Sequence, residues 1–342
     1  MSEAAKAKLD STGGRIYEFL GGQLVVSEQE IFERACALPG DMVVLSGTLV
    51  EGIGNKHSDI DLYVIGDELP DAQRVGPRSY IAHDGSRVRA YYDYLSAGGF
   101  GFDVEYLTRA EVEGWKDEVL SLYERARAST KILRQHLSDG VGDGLHKLRV
   151  GRCVQNADEY AAFFDEDFWN KLAFIFYSNR KGGYPEFKDI MGAWGSGDYD
   201  TSLHIMRETM RFELAALCHL HGMTNGRTKW LFQNYKRLPE RFQGLVREVM
   251  TWLNSERLTD EAKRDSILTG CDIIDRIYRA DAIMLRERAP LSYTPEEALR
   301  MIEEEYAREV VHDRQTIAEY EHRRRVFTTA VPDIRSLFLA SA

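Results

Sequence analysis

Two carboxylates, Asp59 and Asp61, flank Ile60 at the head of the apolar run Leu62-Tyr63-Val64-Ile65. Side chains alternate faces along a strand, so a strand here puts both carboxylates on one face. Like charges that close raise one another's pKa unless a cation neutralises them. Magnesium suits the task, since it takes oxygen ligands and bridges carboxylates to substrate phosphates. Just upstream, the apolar run Met42-Val43-Val44-Leu45 reads as a buried strand that ends in Gly47-Thr48, where a short helix is expected to begin. Backbone N–H groups at a helix start favour anions, and glycine lets a phosphate approach the chain closely. A phosphate cradle beside a magnesium-binding pair predicts phosphoryl or nucleotidyl transfer.

The whole stretch carries Gly47, Thr48, Gly52, Ser58, Asp59, Ile60, Asp61 and Leu62 in order. It resembles the nucleotidyltransferase superfamily typified by DNA polymerase β and the aminoglycoside nucleotidyltransferases. The hallmark there is Gly-[Gly/Ser], a further glycine, and Ser-Asp-x-Asp-Leu after a short loop. The match runs without insertion or deletion, and its one departure is Thr48 where serine is usual. It covers residues 25–110, and the rest of the chain shows no such resemblance.

The resemblance implies a third carboxylate from a later strand. Asp103 in Gly101-Phe102-Asp103-Val104-Glu105 is the best candidate, with Glu105 on the same strand face as the alternative. It also implies two Mg2+ ions held by these acids, and a nucleoside triphosphate, ATP, as co-substrate. Gly47, Thr48 and Ser58 would contact its β- and γ-phosphates, and Asp103 would take the acceptor's proton. In two-domain relatives a lysine of the helical domain reaches the triphosphate. Lys229, in the basic and aromatic segment Arg227-Thr228-Lys229-Trp230, is similar to it.

These residues need elements to hold them. Ser27-Glu28-Gln29-Glu30 has the form of a capping box, predicting a helix through Ile31 to Leu38 that Gly40 stops. Strands are expected at 42–45, 59–65, 87–94 and 101–107, with a loop over 70–78. From residue 111 the period becomes helical, over 111–135, 157–178, 200–221, 239–254, 260–288 and 295–320. Glycine clusters at 140–144, 182–183 and 192–197 are expected to break it. The expected fold class is therefore α+β, a nucleotidyltransferase-type domain with a mixed β-sheet over 1–125 followed by an all-α helical bundle over 126–342.

Several residues invite sharper readings that their context weakens. His219 and His221 stand two apart on a helical stretch and so point apart, which argues against a metal pair. Lys56 and His57 read as a solvated loop, and Phe168-Trp169 as a core stripe. The acidic run Glu303-Glu304-Glu305 and the basic cluster Arg323-Arg324-Arg325 read as solvated faces.

The charge narrows the partners. The chain has 342 residues, with 55 Asp+Glu against 44 Lys+Arg, a net of −11. Residues 1–125 carry a net of −10 of that. A nucleic-acid backbone is gripped by basic faces, so nucleic acid is disfavoured. An acidic domain favours a cationic small-molecule acceptor. Four scattered cysteines without a C-x-x-C pair fit reduced thiols. No apolar N-terminal core or membrane-length run is present, so a cytoplasmic protein is expected.

The leading expectation is transfer of AMP from ATP to a hydroxyl of a small molecule, aminoglycoside-like or a natural product. The alternatives are modification of a protein or of an RNA end. An inactive regulatory relative comes last, because three acids stand in place.

Overall fold

A computed structural model describes residues 6–9, 14–78, 80–93 and 101–341. Tyr94, at the end of the expected 87–94 strand, lies outside the described residues, as do residues 1–5. The chain divides into two compact units, residues 1–118 with 137–166 and residues 119–136 with 167–342. The first unit thus takes in a stretch beyond residue 125, and that stretch matters for the site.

The first unit is built on two sheets. Strands β1 (Lys6–Leu9), β2 (Arg15–Phe19) and β3 (Leu24–Ser27) form an antiparallel three-stranded sheet. The second sheet has six strands in the order β6-β7-β8-β5-β4-β9. Its members are β4 (Met42–Ser46), β5 (Ile60–Gly66), β6 (Tyr80–Asp84), β7 (Arg87–Asp93), β8 (Phe102–Thr108) and β9 (Arg152–Gln155). β5 and β8 run parallel and the other pairs antiparallel, so the sheet is mixed.

β4 is buried along its whole length and β5 nearly so, which is why both read as continuous apolar runs. Val43, Leu45, Leu62, Val64, Val104 and Tyr106 share one core cluster with Ile31 and Ala35.

Short helices decorate this unit: α1 (Glu28–Ala35), α2 (Thr48–Glu51) and α3 (Ala72–Val75). The Ser27 hydroxyl accepts the Glu30 N–H, as the capping pattern predicts. α1 nevertheless stops before Gly40, because Cys36 already turns into the left-handed region at φ +46°. α3 occupies the expected loop and is capped by Asp71, whose carboxylate accepts the Arg74 N–H at 2.8 Å.

α4 (Arg109–Arg127) starts with a reciprocal box. The Thr108 hydroxyl accepts the Glu111 N–H at 3.2 Å, and the Glu111 carboxylate accepts the Thr108 N–H at 2.8 Å. It ends earlier than the 111–135 period suggests, because the following backbone bonds elsewhere: Leu133 N–H donates to Ser178 O. α5 (Asp139–Val150) and α6 (Ala157–Phe163) complete the unit. α5 overturns the expected break at 140–144. The Ser138 hydroxyl caps it by accepting the Val141 N–H at 3.3 Å, and the Trp115 ring lies against Gly144, where an added Cβ would come within 3.1 Å of it.

The second unit is helical apart from short turns. Its helices are α7 (Glu166–Arg180), α8 (Tyr184–Gly195), α9 (Tyr199–Leu220), α10 (Leu231–Lys236) and α11 (Glu240–Asn254). They continue with α12 (Asp260–Glu287), α13 (Pro295–Ala307), α14 (Arg314–Arg325) and α15 (Ile334–Ser341).

The single 295–320 period resolves into two helices, because Asp313 caps a fresh start by accepting the Thr316 N–H at 2.8 Å. Phe168 and Trp169 are buried core residues. The basic cluster is not a solvated face: Arg325 is 4% exposed and ion-paired with Asp275. Arg323 pairs with Glu305 and Arg324 with Glu303, so the acidic run and the basic cluster neutralise one another. No helix among the described residues is long and apolar enough to cross a membrane.

Candidate functional site

The site forms at one end of three neighbouring strands. β4 ends at Ser46, which pairs with Asp61 at the start of β5. β5 and β8 run parallel in a register that sets Asp61 opposite Asp103 and Tyr63 opposite Glu105. Parallel register and the two-residue side-chain period therefore bring acids from both strands onto one face. Asp59 stands just before β5 and accepts a hydrogen bond from the Gly101 backbone, which ties the two strand starts together.

Gly47 is where the chain must pass this cluster. Its φ is +90°, and a Cβ there would overlap Asp61 Oδ2. Any other residue would meet both a disfavoured backbone conformation and a carboxylate already in place. Thr48 opens α2 half-buried. Ser58 is pinned in the intervening loop, its hydroxyl accepting the Asn55 N–H at 2.9 Å. Lys56 and His57 are exposed.

The sequence pattern missed Lys147 on α5. Its Nζ lies 2.8 Å from Asp61 Oδ1, and 3.8 Å from both Glu105 Oε1 and Asp143 Oδ2. It also stands over the Tyr63 ring, 5.6 Å from the centroid. The helix is held to the sheet at that point, since Ser46 Oγ donates to the Lys147 carbonyl. One turn of helix separates Asp143 from Lys147, a spacing that signals a pair but not what the pair faces. Nearby, His146 Nε2 and Glu51 Oε2 approach to 3.3 Å in buried surroundings.

The electrostatics follow from crowding. Burial first, then the charges of Asp61 and Asp59, push the Asp103 carboxyl up to about 7 against the pull of Lys147. Burial and Asp61 likewise raise Asp59. Burial opposes the charge on Lys147, but Asp61 and Glu105 outweigh it and raise its pKa. Glu105 is further engaged as acceptor of the Tyr63 hydroxyl at 3.0 Å.

Whether these groups suit a divalent cation can be judged from the donors. Asp103 Oδ1 is buried and has no hydrogen-bond partner, a costly state unless something binds it. Asp59, Asp61 and Asp103 offer hard carboxylate oxygens, the ligand type magnesium takes. As the side chains lie, no three His, Cys, Asp or Glu residues among the described residues are grouped to hold a metal ion. The Lys147 ammonium is the cation on Asp61 instead. The residues fit magnesium in type; to hold it, Lys147 would have to give up Asp61 Oδ1 and the carboxylates would have to draw together.

Lys229 belongs to the second unit, in a single 3-10 turn, Thr228–Trp230. It is exposed, with Nζ 5.4 Å from the centroid of the Trp230 ring. His219 is buried near the end of α9 with Nδ1 2.7 Å from Met223 O, a helix-end histidine.

Neither a protein-family model nor a curated protein matches the chain. Among solved structures, the chain is similar to the crystal structure of a nucleotidyltransferase-like protein from Exiguobacterium sibiricum 255-15. Identity is 11%, with 81% of this chain and 90% of that one covered, at a TM-score of 0.38. So distant a likeness leaves the function to be argued from the site's own geometry.

Proposed function

We propose that the first unit catalyses metal-dependent nucleotidyl transfer, moving AMP from ATP onto a hydroxyl of a small-molecule acceptor. The observation that supports this best is the in-register pairing of Asp61 with Asp103 beside Gly47, whose missing side chain makes room for Asp61. Paired carboxylates are costly in a partly buried place and gain a purpose if they meet metal-bound phosphate.

In this reading Asp59, Asp61 and Asp103 would hold two Mg2+ ions, which supply charge stabilisation to attacking and leaving oxygens in an in-line displacement. Asp103 is preferred to Glu105 because it faces Asp61 in register, whereas Glu105 faces Tyr63 and accepts its hydroxyl. Asp103 Oδ1, unpartnered, would take the acceptor hydroxyl's proton. Gly47, Thr48 and Ser58 would line the β- and γ-phosphates. Lys147 would exchange its contact with Asp61 for one with phosphate. The acidity of residues 1–125, a net of −10, favours a cationic acceptor such as an aminoglycoside and disfavours RNA.

The test is incubation with α-labelled nucleoside triphosphates, Mg2+ and separate pools of aminoglycosides, metabolites, RNA and proteins. Label should move to a small molecule with release of pyrophosphate, and transfer should vanish in Asp59→Asn with Asp61→Asn. Label only on polypeptide or RNA would replace the acceptor class. No transfer to any pool, with no Mg2+-dependent thermal shift by any nucleotide, would sink the proposal.

A further inference from the structure

The second unit contains a cavity of about 690 Å3 that the nucleotidyl-transfer reading does not use. That volume lies in the range of small-molecule sites. At one side of it stands Glu213 of α9, which is 1% exposed. Its Oε1 accepts the Tyr278 hydroxyl at 3.1 Å, and the carboxyl also accepts the Gly182 N–H. Its Oε2 has no partner. Glu186 of α8 also lines the cavity, and its Oε2 is buried and unpartnered too.

Both carboxylates crowd the Gly182-Gly183 turn. A Cβ on Gly182 would overlap Glu213 Oε1 and the Tyr278 hydroxyl, and one on Gly183 would come within 2.6 Å of Glu186 Oε2. The turn therefore carries no side chain at the two places where one would fill the space beside the acids.

Two buried carboxyl oxygens lacking partners are an expense that native proteins rarely leave uncompensated, and burial makes the Glu213 carboxyl hold a proton that an incoming ammonium would displace. An ammonium group supplies three donors and a positive charge, matching two acceptors that approach from neighbouring helices. The other lining residues differ in sign. Lys131 and Arg134 are exposed, and Arg180 and Arg323 are half-buried. Arg180 lies over the Phe212 ring, and Arg323 is tied to Glu305. The buried side of the cavity thus carries the two unpartnered acid oxygens together with Lys181, 2% exposed, whose ammonium is turned to the Tyr293 hydroxyl at 2.6 Å, and the outer side carries the basic groups with the half-buried Glu319 among them.

We propose that this cavity binds a small organic molecule with a primary ammonium at one end, received by Glu213 and Glu186, and a carboxylate at the other, received by Lys131 and Arg134. The inference does not rest on the activity proposed for the first unit.

Isothermal titration of the full chain with ε-aminocaproate, hexamethylenediamine and caproate tests it. Saturable binding is expected for ε-aminocaproate, about tenfold weaker binding for the diamine, and none for caproate. Glu213→Gln and Glu186→Gln keep size and should each weaken ε-aminocaproate at least about tenfold. If Glu213→Gln does not fold by circular dichroism, Glu186→Gln decides. Lys131→Ala with Arg134→Ala, both exposed, should weaken ε-aminocaproate and leave the diamine unchanged. Caproate binding as well as ε-aminocaproate, no saturable binding of either amine, or unchanged affinity in both glutamine variants would overturn the assignment.

Discussion

The Lys147 ammonium lies 2.8 Å from Asp61 Oδ1, on the carboxylate that heads the acid cluster. An ammonium and a magnesium ion would neutralise the same charge, so on the proposed function the two would compete for Asp61. The competition can be read from stability. In Lys147→Met the cluster loses its only neighbouring ammonium among the described residues, and the fold without divalent cation should weaken by about 1–3 kcal/mol. Mg2+ should then raise the melting temperature of the variant more than that of the wild type, by several degrees. Equal Mg2+ shifts in both proteins would show that Lys147 does not occupy the cation's place.

Asp103 offers a different test, because its two roles pull in opposite directions. As a partly buried acid pushed up to about 7, with an unpartnered Oδ1, it costs the fold stability. Asp103→Asn removes the charge and keeps the shape. Stability without metal should stay level or rise by about 1 kcal/mol, a pattern typical of sites that trade stability for function. Nucleotidyl transfer should fall by about a thousandfold or more. Denaturant midpoints and label transfer measure the two effects separately. A variant that is both destabilised and fully active would place Asp103 in the scaffold instead.

Gly47→Ala should harm both fold and site. Its φ of +90° disfavours a side chain, and the added Cβ would overlap Asp61 Oδ2. Backbone strain alone costs of order 1–3 kcal/mol, and displacing Asp61 disturbs its contact with Lys147. Chemical denaturation should show a loss of about 2–4 kcal/mol. Gly85→Ala makes a useful comparison: its φ is +60°, but an added Cβ meets nothing within 4 Å. If the two alanines cost the same, the closeness of Asp61 adds nothing.

These contrasts also explain what could be read from the chain alone. The strands that carry Asp59, Asp61 and Asp103 were legible because central strands are apolar runs, and acids inside such runs stand out. The α+β class followed from the change of period near residue 111. Lys147 was not legible. It lies on a helix whose first turns contain Gly140, Gly142 and Gly144, residues of poor helix propensity that read as a break. Tertiary packing of Gly144 against Trp115 and the Ser138 cap override that propensity. The early strands were missed for another reason: β1 to β3 are only four or five residues long, too short for an alternating pattern to emerge. The pairing of Arg323 with Glu305 spans two helices, and nothing local in the sequence signals it.

Glu213 makes the stability of the second unit depend on pH in a definite direction. Burial pushes its carboxyl up to about 8, against the pull of the Tyr278 hydroxyl and the Gly182 N–H. In the unfolded chain an ordinary glutamate titrates near 4.3. Between those values the folded state binds a proton that the unfolded state has lost, so stability falls as pH rises through the window. The full effect is bounded at about 5 kcal/mol. Lys181 acts in a higher window. Burial, then Arg323, lowers its ammonium to about 7, so from there up to the ordinary lysine range the unfolded state binds more protons. Its contribution rises with pH and opposes any remaining loss from Glu213. Glu213→Gln removes the glutamate's contribution and leaves that of Lys181. Wild-type stability minus that of the variant should therefore be largest near pH 4–5 and decline steadily towards pH 8, as measured by urea unfolding across that range. A difference that stays flat with pH would mean that the Glu213 carboxyl titrates alike in the folded and unfolded chain.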